Sequence, residues 1–124
     1  MPSGEDLAEQ VQKALVAHGA WKVRLASAIE TGTSEFTPES VRADDRCALG
    51  KWLYYEIDPA LKAQPQYAAV RKLHADFHVA AAKVLELALS GHKAEAQSAM
   101  LIGQEFGCAS TQLTIALSNW RDAK

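Results

Sequence analysis

Two histidines of this sequence are spaced so that both can bind one metal ion. His74 and His78 are four residues apart, so on a helix their side chains lie next to each other, with Cβ atoms about 5–6 Å apart. Zinc enzymes use helical histidines at this spacing to hold their ion. Because many helices carry such a pair by chance, the pair alone is a moderate indication of a metal site.

His18 and Cys47 can complete a tetrahedral site with that pair. A lone buried histidine or free cysteine is more often an ordinary core residue, so the prediction depends on the four residues together. Cys47 lies three residues before Gly50, whose missing side chain lets a short helix lie close to a neighbour. Three neutral imidazoles and one thiolate suit Zn²⁺. The sequence therefore predicts one Zn²⁺ per chain, bound by His18, Cys47, His74 and His78.

Other residues of the same types are not assigned to the metal. His92 falls at a turn between two predicted helices, where we expect it to be exposed, and Cys108 lies beside an apolar stripe rather than in it. Histidine ligands usually donate their second N–H to a carboxylate or a carbonyl. Asp44, Asp45 or Asp76 could accept it, although helix caps and solvated charges are the commoner roles of aspartate.

The helices that must position these residues are indicated by apolar residues recurring every three or four positions, as on one face of a helix. The first stripe comprises Leu7, Val11, Leu15, His18, Trp21, Leu25 and Ile29. The second comprises Tyr67, Val70, His74, Phe77, His78, Ala81, Leu85 and Ala88. The third, in a helix that begins near His92, comprises Ala99, Ile102, Phe106, Ala109, Leu113, Leu117 and Trp120. Only Ser90-Gly91 separates the last two helices, which predicts an antiparallel hairpin.

The segment between the first two long helices, about residues 32 to 65, has a different pattern. Thr37-Pro38, Asp58-Pro59 and Gln64-Pro65 are typical of helix starts. Residues 44–55 indicate a short helix with an aromatic end, and a strand over 52–57 would have nothing to pair with. We predict an all-α four-helix bundle, with short helices in the long crossover between the first and second long helices, and a single domain over residues 1–124.

Composition excludes several classes of protein. The chain is 48% hydrophobic and 23% charged, as in ordinary globular domains. A net charge of −2 with scattered basic residues argues against nucleic acid as a partner. No apolar run approaches the roughly 20 residues that cross a bilayer, and Met1–Asp6 lacks the features of a signal peptide. Two cysteines do not make a disulfide framework. We therefore expect a cytoplasmic protein that binds neither nucleic acid nor membrane.

The ordered set of motifs resembles the chemoreceptor zinc-binding (CZB) domain family. The resemblance spans about residues 10–121, and its most specific part is the Cys-x-Leu-Gly-x-Trp string between the histidines. The motifs are His18 with Trp21-Lys22 and Leu25, then Cys47-Ala48-Leu49-Gly50-Lys51-Trp52-Leu53, then His74-Ala75-Asp76-Phe77-His78. The resemblance implies a four-helix-type fold and one Zn²⁺ held by His18, Cys47, His74 and His78.

The resemblance also implies a sensory role. Such domains are typically fused to bacterial chemotaxis receptors and diguanylate cyclases, often form homodimers, and respond to zinc availability or to oxidants such as hypochlorous acid. This sequence contains no signalling coiled coil or cyclase domain, so we expect a stand-alone protein or an excised piece with a signalling partner. A zinc ion with four protein ligands has no open position for a substrate. We therefore predict no enzyme activity, with Cys47 as the switch and the three histidines as its anchor.

Four other functions are weighed against this one. A zinc hydrolase using three histidines would need a base, but position 75 is alanine where zinc proteases carry glutamate. A di-iron site needs Glu-x-x-His pairs, which neither Glu86 nor Glu95 provides. A phosphotransfer module would need an exposed histidine, whereas His18 lies on an apolar stripe. A dimerisation scaffold that zinc merely stabilises is the main alternative to a sensor.

Overall fold

The structure, a computed structural model, describes residues 3–43, 47–101 and 104–122. This part of the chain is helical and contains no strand. Its elements are α1 (Ser3–Thr31), α2 (Pro38–Arg42), α3 (Ala48–Lys51), a π-helical turn (Trp52–Glu56), α4 (Pro59–Lys62), α5 (Pro65–Leu89), α6 (Lys93–Ala99) and α7 (Glu105–Asp122). The prediction of an all-α bundle with short helices in the crossover is confirmed.

The core forms where the apolar stripes of the three long helices, α1, α5 and α7, meet. Helix α5 is central, because it packs against both other long helices and also against α2. The apolar side chains with 0–1% exposure on the long helices are Val11, Leu25, Val70, Phe77, Ala81, Ala82, Val84, Leu85, Phe106, Leu113, Leu117 and Trp120. The 3.6-residue period therefore identified the buried faces of these helices correctly.

Glycines end the first two long helices where the sequence predicts. Gly32 has φ +75° and Gly91 has φ +82°, a left-handed conformation that glycine adopts without the steric cost other residues incur. The N–H of Gly32 donates to the Ala28 carbonyl at 2.7 Å, and the N–H of His92 donates to the Leu87 carbonyl at 2.9 Å. These bonds satisfy carbonyls that the helix ends would otherwise leave unpaired.

The prediction of one continuous helix from about His92 to Trp120 is wrong. The chain forms two helices there, α6 and α7. At the end of α6 the N–H groups of Met100 and Leu101 donate to the carbonyls three residues earlier, at 3.2 Å each, and such bonds tighten and close a last turn. Ile102, which the third stripe included, lies outside the described residues.

The short helices α2 and α4 of the crossover start at the residues that the sequence predicts as helix starts. The Thr37 and Ser40 side chains form a reciprocal capping box at the start of α2, and the Asp58 side chain accepts from the Ala60 N–H at the start of α4. The aromatic end of the predicted short helix is the π-helical turn, in which Trp52 and Leu53 are buried. This turn attaches the chain that follows Cys47 to the core.

Candidate metal centre

The cluster is built from three separate parts of the chain. Helix α1 contributes His18, helix α5 contributes His74 and His78, and Cys47 lies directly before α3. One donor atom from each of the four residues lies within 4.8 Å of the others. The structure therefore brings together all four residues that the sequence predicts as ligands.

The distances between the donor atoms fit a tetrahedral ion. The Cys47 Sγ lies 3.2 Å from His74 Nε2, 3.6 Å from His78 Nε2 and 3.9 Å from His18 Nε2. The two Nε2 atoms of His74 and His78 are 3.0 Å apart. Bonds of 2.0–2.1 Å to nitrogen and 2.3 Å to sulfur require about 3.3 Å between nitrogens and about 3.6 Å between nitrogen and sulfur. The cluster is thus close to the size that Zn²⁺ needs.

Backbone carbonyls orient two of the imidazoles. Nδ1 of His18 lies 2.8 Å from the Ala14 oxygen, and Nδ1 of His78 lies 2.8 Å from the Val41 oxygen. Because a carbonyl oxygen can only accept a hydrogen bond, each Nδ1 carries the proton and donates it. In a neutral ring the Nε2 atom then has a free lone pair, which can bind a metal ion in the cluster. A second N–H fixed in this way is the usual arrangement of metal-binding histidines.

His74 is the most deeply buried member of the cluster. Its side chain has 0% exposure, and within the described part of the chain its Nδ1 has no hydrogen-bond partner. Its Nε2 faces the His78 Nε2 and the Cys47 Sγ, atoms that bear lone pairs. Close packing of electron-pair donors inside a protein is favourable when a cation or shared protons lie between them. The donor set therefore fits a bound metal ion.

Burial keeps the imidazoles of His18 and His74 neutral. Desolvation lowers the pKa of His18 to about 4, and although its bond to the Ala14 carbonyl raises that value, the charge of His78 lowers it further. Desolvation, followed by the charges of His78 and His18, lowers the pKa of His74 to about 2. Neutral imidazole is the form that binds metal. These two rings are therefore ready to bind at pH 7 without losing a proton.

Cys47 differs from the histidines in its surroundings. It is only partly buried, and its Sγ accepts a hydrogen bond from the Gly50 backbone N–H at 3.3 Å. Gly50 itself is buried. A backbone N–H directed at sulfur stabilises the thiolate. Cys47 is thus a donor that small solutes can reach, whereas the histidines are enclosed.

The acceptors of the second imidazole N–H are the feature that the sequence did not reveal. Asp76 forms an exposed ion pair with Lys72 at 3.0 Å, and Asp44 and Asp45 lie outside the described residues. The groups that accept from His18 and His78 are the Ala14 and Val41 carbonyls. Backbone carbonyls are present at every residue, so no side-chain pattern could have signalled them.

The remaining histidine and cysteine lie apart from this cluster. His92 is exposed at the start of α6 and contacts the Ser90 hydroxyl, and Cys108 is exposed on α7. His18 has only 6% exposure, which argues against a phosphotransfer histidine. Within the ranges that the structure describes, no helix is long and apolar enough to span a membrane.

Comparison with known proteins connects this site to a family. The family model of the chemoreceptor zinc-binding domain matches residues 18–85, a range that contains all four clustered residues. Neither the curated proteins nor the solved structures gave a match. The matched range covers 68 of the 124 residues, more than half of the chain. The chain therefore belongs to the chemoreceptor zinc-binding domain family.

Proposed function

We propose that this chain is a zinc-binding sensory domain of bacterial signalling, working in the cytoplasm and without enzyme activity. One Zn²⁺ is held by His18, Cys47, His74 and His78. The observation that carries the proposal is the convergence of one thiol and three imidazoles within 4.8 Å, two of the rings being oriented by carbonyl acceptors. The family match supports zinc as the metal.

The four donors together favour regulation over catalysis. A zinc ion with four protein ligands lacks the open position that a catalytic zinc keeps for water or substrate. When bound, the ion supplies positive charge that keeps the Cys47 sulfur deprotonated. The three buried histidines (the histidine anchor) hold their rings in place on α1 and α5.

Cys47 is the group that responds in this proposal. Its thiolate attacks the chlorine of hypochlorous acid, forming an S–Cl bond while the O–Cl bond breaks and hydroxide leaves with the electron pair. Water then attacks the sulfur, forming an S–O bond while the S–Cl bond breaks and chloride leaves. The product is a sulfenic acid, so sulfur is oxidised by two electrons and chlorine is reduced. The partial exposure of Cys47 supports this role, because oxidants must reach the sulfur. A sulfenic acid is a weaker donor than a thiolate, so zinc binding weakens.

The chain after Cys47 offers a route for the response. Cys47 leads directly into α3 and the π-helical turn, where the buried Trp52 ring packs on Trp120 with ring centroids 5.9 Å apart. Trp120 is near the end of α7 and donates its ring N–H to the Gln64 side chain at 2.7 Å. In this proposal, movement of Cys47 away from the histidine anchor alters the packing of Trp52 against α7.

The first test is the zinc content of protein purified without chelator. We expect about one zinc per wild-type chain and far less in His78→Ala. The matched control is His92→Ala, which removes an exposed histidine outside the cluster and should leave zinc content at the wild-type level. Wild-type protein without tightly bound metal would overturn the proposal.

The second test is zinc release during titration with hypochlorous acid. We expect graded release from the wild type and from Cys108→Ala, which removes an exposed thiol on α7. Cys47→Ala should not show this response. An unchanged oxidant response in Cys47→Ala would show that Cys47 is not the switch, whatever the zinc content.

A zinc-stabilised homodimerisation scaffold is the second candidate. Val16 and Val23 lie seven residues apart on α1 and have 67% and 72% exposure, and this candidate places the contact between two copies along this helix. We propose a homodimer for the sensor as well. The two functions differ under chelation, because a scaffold would dissociate and unfold in one step, whereas a sensor would lose zinc with its fold retained. Light scattering and circular dichroism during chelation separate them.

A further inference from the structure

A cleft of about 350 Å³ leads from the protein surface to the metal centre. Its inner end is formed by three of the clustered residues, His18, Cys47 and His78. The more exposed part of its lining includes Trp21 and Arg24 of α1 and Phe36 of the segment between α1 and α2, and these three residues are called the rim.

The three side chains of the rim contact one another. The Trp21 and Phe36 rings pack with centroids 5.1 Å apart. The Arg24 guanidinium carbon lies 4.9 Å from the Trp21 ring centre and 5.5 Å from that of Phe36. Contacts of a guanidinium with two aromatic rings restrict its position. The cation is therefore held at the mouth of the cleft.

The charge of the described lining is positive. Arg24 is the permanently charged side chain among the described residues that line the cleft, and no carboxylate lines it. None of the ion pairs formed within the described ranges involves Arg24, so its N–H donors are available to a solute. A zinc ion with one thiolate at the inner end would add about one further positive charge. An anion is the solute that this arrangement favours.

We propose that this cleft is the entrance to Cys47 and that Arg24 binds small anions in it, so that anionic thiol-reactive compounds reach the sulfur faster than neutral compounds of the same size. The inference rests on the proposed function, since it gives reagents a route to the responding Cys47 and adds a preference for those that carry negative charge. Arg24 is a recognition residue here, because it attracts the anion and does not touch the zinc.

A matched pair of alkylating reagents tests the charge preference directly. Iodoacetate and iodoacetamide are similar in size and react in the same way: the Cys47 sulfur forms a bond to the CH₂ carbon, and iodide leaves with the electron pair of the broken C–I bond. Only iodoacetate carries a negative charge. Cys108, exposed on another helix, is an internal reference in every sample. Mass spectrometry of the two peptides gives both rates.

The measured quantity is the ratio of the iodoacetate rate to the iodoacetamide rate at Cys47, divided by the same ratio at Cys108. We expect this value to exceed one in zinc-loaded wild type. In Arg24→Gln it should fall by about tenfold, the low end of the range for charge focusing in clefts. The matched control is Lys22→Gln, which removes an exposed positive charge of α1 that does not line this cleft. Its value should stay at the wild-type level.

Two further measurements extend this test. The first asks whether the rim limits the size of the reagents that reach Cys47, and the second tests the effect of charge without any substitution. Phe36→Ala removes part of the rim and should raise both rates at Cys47 by similar factors. Added salt should slow iodoacetate at wild-type Cys47 and leave iodoacetamide unchanged, because ions screen the charge of Arg24. This salt effect needs no variant, so it stands even if a substitution disturbs the fold.

The outcomes separate this inference from the proposed function. Zinc content is measured for each protein, so absence of zinc in wild type would overturn the proposed function. Equal normalised ratios in wild type and Arg24→Gln, with zinc present, would overturn only the anion entrance. An equal fall in Lys22→Gln would overturn it as well, since the effect would then reflect overall charge.

Discussion

The long helices and the crossover hold the donor atoms in different ways. The histidine anchor lies on α1 and α5, helices of 29 and 25 residues, and its side chains have 0–6% exposure. Cys47 lies before a helix of four residues and is partly exposed. Three donors are therefore fixed by the core of the bundle, whereas the fourth is held by a short, locally bonded segment.

This difference indicates how one site can combine firm metal binding with a response. Donors buried on packed helices keep their geometry because moving them would disturb many core contacts. A donor on a short segment can leave at the cost of a few local contacts, such as the hydrogen bond from the Gly50 N–H. The crossover is nevertheless fastened on both sides of Cys47, by the Val41 carbonyl bond to His78 and by the buried Leu53. Movement of Cys47 should therefore leave Val41 and Leu53 in place.

The largest effect that tests this comparison is on zinc affinity. We expect His74→Ala to weaken zinc binding by more than about a hundredfold, because removal of a ligand should exceed the 10–100-fold cost of losing a supporting contact. Cys47→Ala should weaken it less, since water can enter the partly exposed position and complete the tetrahedron. Competition with a chromophoric chelator measures both constants.

Two results bear on that expectation. The exposed His92, changed to alanine, is the control for loss of a histidine as such and should bind zinc like the wild type. If Cys47→Ala lost as much affinity as His74→Ala, or more, the division into a fixed anchor and a replaceable fourth donor would be wrong.

The next effect is the pH dependence of stability after zinc is removed with a chelator. Burial lowers the pKa of His18 to about 4 and that of His74 to about 2, whereas in the unfolded chain both titrate near 6.5. Below pH 6.5 the unfolded state therefore binds more protons than the folded state. Stability is fully present above that pH and falls as pH drops towards 4, by up to about 1.4 kcal/mol per pH unit for each group.

Urea unfolding between about pH 7.5 and 4.5 measures this slope. His74→Leu removes one buried titrating group and should flatten the curve, whereas His92→Leu should not. Carboxylates that titrate at low pH contribute equally to the wild type and the variants, so the difference between curves isolates the histidine. Identical slopes in wild type and His74→Leu would contradict the burial of a neutral His74 as a source of pH dependence.

The same comparison explains which parts of the fold the sequence could predict. Long amphipathic helices repeat their signal over many turns, so the stripes containing His18 and His74 identified both helices and their buried faces. The spacing of His74 and His78 follows from helix geometry alone. The prediction that Cys47 joins them depended on the order of motifs, because a lone cysteine has no periodicity.

The features that could not be predicted depend on tertiary packing. The π-helical turn at Trp52–Glu56 places Trp52 and Leu53 in the core, and π-helical turns have no sequence pattern that local propensity encodes. The break after Ala99 interrupts an apolar stripe that continues on both sides, so periodicity gave no sign of it. The Val41 carbonyl that receives the His78 N–H is backbone, and its position depends on how α2 packs against α5.

A smaller effect tests what fastens α2 to α5. Arg42 pairs with Glu86 across these helices, and both side chains are nearly half exposed, at 46% and 47%. Exposed ion pairs contribute about 0–1 kcal/mol. We expect Arg42→Gln to lower the free energy of unfolding by less than about 1 kcal/mol and to leave zinc affinity nearly unchanged. A large loss of zinc affinity, measured by chelator competition, would show that this ion pair positions His78 or Cys47.

The last expected effect lies on α1, beside His18, and concerns stability alone. Gly19 is exposed in the middle of α1, and a Cβ added there would meet no atom within 4 Å. Glycine inside a helix costs about 0.8–1.0 kcal/mol relative to alanine, so Gly19→Ala should raise the free energy of unfolding by up to about 1 kcal/mol in urea titrations. Zinc affinity should stay the same, because His18 already has its ring fixed by the Ala14 carbonyl. A Gly19→Ala protein that bound zinc more weakly would show that α1 must bend at this position to present His18, and the long helix would then not be the rigid half of the site.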